Sequence, residues 1–238
     1  MIALRSLLSA LLLIGLAACA LPPMPGPEGA GTPGQDIPSR LDADRAARQF
    51  AEVVATVEPV AEGICRARRD DDRCAFRIAI DSRRRMPANA FQTLDADGQP
   101  VLIFTLALIA DMRNPDELAF VMSHEASHHI LDHLTRQRDY AAQGAQVYAE
   151  AAMRSGASRR AVRRASELGA AYGARSYSRQ FELEADYLGA QIARAAGFDP
   201  LRGALYFDRL PDPGDDFLGS HPPNAERMAT VRRALAAR

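Results

Sequence analysis

The chain has almost no net charge, only three cysteines, no internal repeat and no apolar run long enough for a comfortable membrane span. Each scarcity narrows the reading. A formal charge of −1 over 238 residues gives no electrostatic footprint for nucleic acid or an acidic partner. Arginine dominates the basic residues but is interspersed with Asp and Glu, as on an ordinary solvated surface. Without a period of about 20–50 residues, the sequence speaks against a built-in helical-repeat adaptor. The length suits one well-buried domain or two small ones.

What is present starts with Arg5 and the apolar stretch Leu7–Ala18, which suits a signal-peptide core. It ends in Leu16-Ala17-Ala18-Cys19, which resembles the lipobox of bacterial lipoproteins, whose Cys is lipidated and begins the mature protein. Residues 1–18 are therefore expected to be a lipoprotein signal peptide. Ala20, rather than Asp, follows Cys19; by resemblance to the usual sorting rule this favours the outer membrane over the inner. Acyl chains on Cys19 would anchor the chain durably, each buried CH2 contributing about 0.8 kcal/mol. Residues 19–38 are rich in Pro and Gly and read as a tether; its last eighteen residues, extended, would span about 55 Å. The folded domain is expected over 39–238, opening at Ser39 with Asp42 as a capping pair. Phe50, Val53, Val54 and Val57 make an apolar helical stripe that Pro59 is expected to kink or end. Export places Cys65 and Cys74 in an oxidising compartment, so a disulfide between them is expected.

The stretch with the most chemistry is His124-Glu125-Ala126-Ser127-His128. Two imidazoles four residues apart stand about 40° from each other around an α-helix, so both reach one metal ion. The Glu between them points aside, free to polarise a water held there. Asn114-Pro115-Asp116-Glu117 predicts the start of this helix, with Asn as cap and Pro at the first position. The apolar residues that follow surround the helix on all sides, which predicts burial. Buried histidines and a buried Glu need partners, and a metal removes that cost. His129, about 140° round from His124, is left out of the ligand set, and His133 is expected to be a helix cap or surface residue.

Strands are expected over Cys74–Asp81 and Val101–Thr105, with a turn at Asp95-Ala96-Asp97-Gly98 between them. Leu106–Met112 predicts a short helix. Tyr140–Tyr177 predicts two partly buried helices with weak apolar faces. A catalytic zinc needs a third protein ligand. Phe181-Glu182-Leu183-Glu184-Ala185-Asp186 opens a helix whose stripe runs through Phe181, Ala185, Leu188 and Ile192. Glu182 and Asp186 flank that stripe, so either can be the ligand; Glu184 is expected to look toward water.

H-E-x-x-H followed by S-R-x-x-E-x-E-A-D-x-x-G over Ser178–Gly189 resembles the family of CAAX prenyl protease and HtpX-like zinc metallopeptidases. The resemblance extends to Asn89-Ala90-Phe91, to Gly197-Phe198-Asp199-Pro200 and to Ser220-His221-Pro222-Pro223 with Glu226-Arg227. It implies an α+β, zincin-like (gluzincin) domain, mostly helical, with a small sheet beside the helix of the active site. It implies Zn2+, one per chain, on His124, His128 and Glu182, with Asp186 orienting His124 and Glu125 as the general base. Substrate is expected to lie along an exposed sheet edge, with Val101–Thr105 as the candidate. His221 has two readings: a loop histidine facing the metal, for oxyanion stabilisation or gating, or a capping or surface histidine. Some family members are periplasmic quality-control proteases, which implies unfolded or misassembled envelope proteins as substrates, a membrane anchor and no nucleic-acid partner. The competing reading is a non-proteolytic zinc-containing lipoprotein acting as chaperone or assembly factor.

Overall fold

A computed structural model describes residues 42–83, 85–210 and 222–237. The expected lipidation site Cys19, the tether, Ser39 and His221 lie outside the described residues.

Helix α1 (Ala43–Arg68) opens on Asp42, whose carboxylate accepts from the Arg45 N–H at 2.8 Å. Its buried face is Ala46, Phe50, Val53, Val57, Ala61 and Cys65, a three-to-four-residue spacing. Pro59 does not end this helix. The proline forfeits a backbone hydrogen bond, at a cost of roughly 3 kcal/mol. Val57 and Ala61 on either side of it are fully buried, and that packing carries the helix through.

Cys65 and Cys74 are joined, with Cα atoms 5.6 Å apart, tying the end of α1 to the segment before the sheet. The sheet has three strands: β1 (Arg77–Asp81), β2 (Ala90–Leu94) and β3 (Pro100–Thr105), in the order β1-β3-β2. Strand β1 runs parallel to β3 and β2 antiparallel to it. The first strand starts at Arg77, opposite Val101, and not at Cys74. Between β2 and β3 the Asp95 carboxylate accepts from the N–H groups of Asp97 and Gln99, and Gly98 takes φ +80. Strand β3 is the central one, buried over nearly its whole length, so Val101–Thr105 is not the exposed edge expected of it. The edges are β1 and β2.

Helices α2 (Leu106–Asp111), α3 (Pro115–Ile130), α4 (His133–Arg154), α5 (Arg159–Ser176), α6 (Ser178–Ala195), α7 (Pro200–Ala204), a 3-10 turn (Leu205–Arg209) and α8 (Asn224–Ala236) follow. Helix α3 is buried on all sides, with α1, α6, α7 and β2 packed round it. Asn114 caps it by accepting from the Glu117 N–H at 3.0 Å, and Glu117 in turn accepts from the Arg113 N–H at 2.9 Å. Helices α4 and α5 form an antiparallel hairpin, largely exposed, as the weak apolar faces predict.

Candidate metal centre

Helices α3 and α6 run in opposite directions and meet where Gly189 lies against His124. A Cβ on Gly189 would stand 3.0 Å from the His124 nitrogen, so only glycine permits this approach without displacement. The contact brings Glu182 over the H-E-x-x-H turn. His124 Nε2 and His128 Nε2 are 3.0 Å apart, and the two Glu182 carboxylate oxygens lie 3.4 and 3.5 Å from them. One donor atom from each of the three residues falls within 4.8 Å of the others.

The hydrogen bonds behind these atoms determine what they can bind. Asp186 Oδ1 lies 2.9 Å from His124 Nδ1, and the carboxylate is gripped by Arg227, which donates to Oδ1 at 2.7 Å and to Oδ2 at 2.8 Å. A carboxylate so held accepts and does not donate, so His124 carries its proton on Nδ1 and turns the Nε2 lone pair inward. The His124 lone pair, His128 Nε2 and the Glu182 carboxylate thus converge. A cation or a borrowed proton satisfies them, and two nitrogens with one oxygen is a donor set suited to zinc. Burial, the largest influence, pulls the His124 pKa down, but the Asp186 and Glu182 carboxylates outweigh it and raise it to about 10. Burial and the charge of His124 push His128 down to about 3.

Glu125 is buried and bonded to no ligand residue. Burial raises its pKa to about 7, suiting it to take and return a proton. It lines two cavities. One, of about 350 Å3, is mostly apolar, with Leu108, Phe120, Val121, Tyr206 and Phe207. The other, of about 300 Å3, is lined by Phe91, Gln92, His128, Leu134 and Phe181. Asn89 and Ala90, at the head of the edge strand β2, border both.

Two expectations need correction. His133 is not a cap or surface residue: it is buried, with Nδ1 2.8 Å from His128 Nδ1. An unbroken helix would have pointed it away from His124, but α3 ends at Ile130 and the chain turns through Asp132, in the left-handed region at φ 57, ψ 36. Glu184 does not simply face water. It bonds His133 Nε2 at 3.2 Å and Arg136 at 2.6 Å. His129 stays outside the ligand set, its Nε2 donating to the Arg73 carbonyl at 2.5 Å. In the sequence Arg227 stands out only as part of the Glu226-Arg227 pattern. Its role depends on α8 packing against α6, and no local signal in the chain announces that.

A buried helix carrying H-E-x-x-H, faced by a second helix that supplies a carboxylate, defines the class: a metallopeptidase domain. The chain belongs to peptidase family M48, whose profile matches residues 47–235. It is similar to the beta-barrel assembly-enhancing protease of Escherichia coli K12, 30% identical over 142 residues, which is 53% of this chain and 28% of that protein. The namesakes from Shigella flexneri and Escherichia coli O157:H7 match over the same lengths at 30% and 31% identity. The chain therefore spans little more than a quarter of these relatives. Among the described residues no helix is long and apolar enough to cross a membrane.

Proposed function

We propose that the chain is a zinc-dependent endopeptidase of the bacterial cell envelope, of the gluzincin type, that degrades misfolded or misassembled envelope proteins. The observation that carries this reading is the convergence of His124, His128 and Glu182 beside a buried Glu125 in an open cleft. A zinc ion held by those three side chains would lower the pKa of a bound water toward about 7 and polarise a scissile carbonyl. Glu125 takes the proton of the attacking water and returns it to the leaving amine. Asp186, braced by Arg227, keeps the His124 ring turned toward the metal.

Substrate lies extended along β2, whose only strand partner among the described residues is β3. Backbone pairing there is nearly indifferent to sequence, as a protease for misfolded chains requires. The apolar cavity beside Glu125 suits a bulky apolar side chain next to the cut. In this reading residues 1–18 are a leader, Cys19 is lipidated and residues 19–38 are a tether, so that the domain works in the periplasm from an outer-membrane anchor. The relatives are named for enhancing β-barrel assembly, which supports envelope proteins as the substrate class.

Metal analysis of the purified chain and of Glu182→Ala, paired with hydrolysis of an unfolded protein, tests the proposal. One zinc per wild-type chain, lost in the variant, with hydrolysis abolished by a chelator, is the expected result. Zinc without hydrolysis would leave the chaperone-like scaffold; no zinc in the wild type would overturn both readings.

A further inference from the structure

We propose that His133 and Glu184 are positioning residues for the second histidine ligand, holding His128 so that its Nε2 lone pair faces the metal. The inference rests on the zinc reading above.

The Glu184 carboxylate is fixed by Arg136 Nη1 at 2.6 Å and Gln180 Nε2 at 2.7 Å. A carboxylate only accepts, so the His133 Nε2 facing it at 3.2 Å carries hydrogen. In the neutral ring Nδ1 is then a lone pair. His128 Nδ1, 2.8 Å away, must donate to it, which leaves His128 Nε2 as the acceptor turned toward His124 and Glu182. The His133 ring cannot readily turn away from this relay. It stacks on Phe181 with centroids 4.5 Å apart and planes within 13°. Arg136, which grips Glu184, covers the same Phe181 ring at 4.3 Å.

The backbone is spent on the same end. Asp132 is the one non-glycine residue with positive φ among those described, and it makes the turn that swings His133 back onto His128. Alternate acidic residues of α6 thus serve three ends: Glu182 faces the metal position, Asp186 orients His124, and Glu184, through His133, orients His128. Asp186 acts directly; Glu184 needs an imidazole to span the distance.

The test measures zinc affinity by competition with a chromophoric chelator, and the visible spectrum of the Co2+-substituted chain. His133→Phe keeps the stack on Phe181 but supplies no acceptor; His133→Asn returns an amide oxygen close to where Nδ1 stands. The expected result is a loss of about 10–100-fold in zinc affinity for His133→Phe, with an altered Co2+ spectrum, and recovery of most of it in His133→Asn. Should His133→Phe fail to fold, Glu184→Met is the second variant and should weaken zinc in the same direction. A wild type that binds no zinc defeats the zinc reading itself. A wild type that binds zinc, with folded His133→Phe or Glu184→Met binding it equally well, overturns this inference alone. So does a His133→Asn as impaired as His133→Phe.

Discussion

The pair α3–α6 and the hairpin α4–α5 are both antiparallel, and both depend on glycine, yet they are opposite kinds of structure. In the hairpin, Gly144, Gly169 and Gly173 let backbone touch backbone: a Cβ on Gly144 would fall 2.1 Å from the Gly169 carbonyl oxygen. Apart from Gly169, Gly173 and His133, the two helices bury no residue fully, and Val147, Met153 and Leu168 stay in water. In the α3–α6 pair the single close approach at Gly189 sits amid buried His124 and Asp186, which bond to each other, with the buried Glu125 beside them. Close packing serves adhesion in one pair and atomic placement in the other. The hairpin is held by its own local contacts; the motif pair is held by the rest of the molecule.

Four experiments break or sharpen that contrast. The largest effect belongs to Glu125→Gln, which should retain zinc and lose turnover by about 10^2–10^4-fold. Hydrolysis at the wild-type rate would rule out Glu125 as the base. Next is Gly169→Ala, whose new Cβ would meet the Gly144 carbonyl oxygen at 2.2 Å and must open the hairpin. A local loss of about 3 kcal/mol, read by hydrogen exchange in α4 and α5, is expected with zinc affinity unchanged. A collapse of zinc binding would show that the hairpin is not independent of the site.

Gly189→Ala is milder in geometry, its contacts being 3.0 and 3.1 Å, but it pushes directly on His124. It should cost about 1–2 kcal/mol in thermal unfolding and, unlike the hairpin variant, also weaken zinc. Equal zinc affinity in the two alanine variants would erase the distinction drawn above.

The smallest effect concerns the loop that fastens α3 from behind. Arg69 pairs with both Asp71 oxygens and donates to the His129 carbonyl at 2.8 Å. The Arg69 hydrogen bond is the main reason the Asp71 pKa falls to about 2 from 3.8. A carboxyl depressed on folding contributes stability above its unfolded pKa and loses it as pH drops through the folded one. Asp71→Asn should therefore be less stable than wild type by under about 1 kcal/mol at pH 7, solvent screening included. That gap should close between pH 4 and pH 2 in denaturant unfolding. A gap that persists at pH 2 would mean the loss is not electrostatic.

Local chemistry made much of this legible in advance. The cap at Asn114, the two imidazoles one turn apart, the turn at Asp95–Gly98 and the choice of Glu182 and Asp186 over Glu184 as the acids nearest His124 depend on residues within a few positions of each other. The misreadings have a common source. Pro59 was expected to kink or end α1, and the ending did not occur, because propensity is local and the burial that overrides it is not. Val101–Thr105 was expected at an edge, because strand order is set by which partners arrive from elsewhere. His133 was read from a helix assumed to be continuous, and one left-handed residue at Asp132 invalidated the projection.

By itself, then, the order of residues determined which side chains share a helical face, and with it the pair of histidines, the intervening Glu and the acidic candidates on the second helix. Only the tertiary structure decided that β2 and not β3 borders the cleft, that Arg227 from the last helix braces Asp186, and that His133 stands behind His128. The physical reason is range: backbone hydrogen bonding and side-chain periodicity act over one or two turns, whereas the position of a lone pair depends on groups up to a hundred residues distant that packing alone brings near.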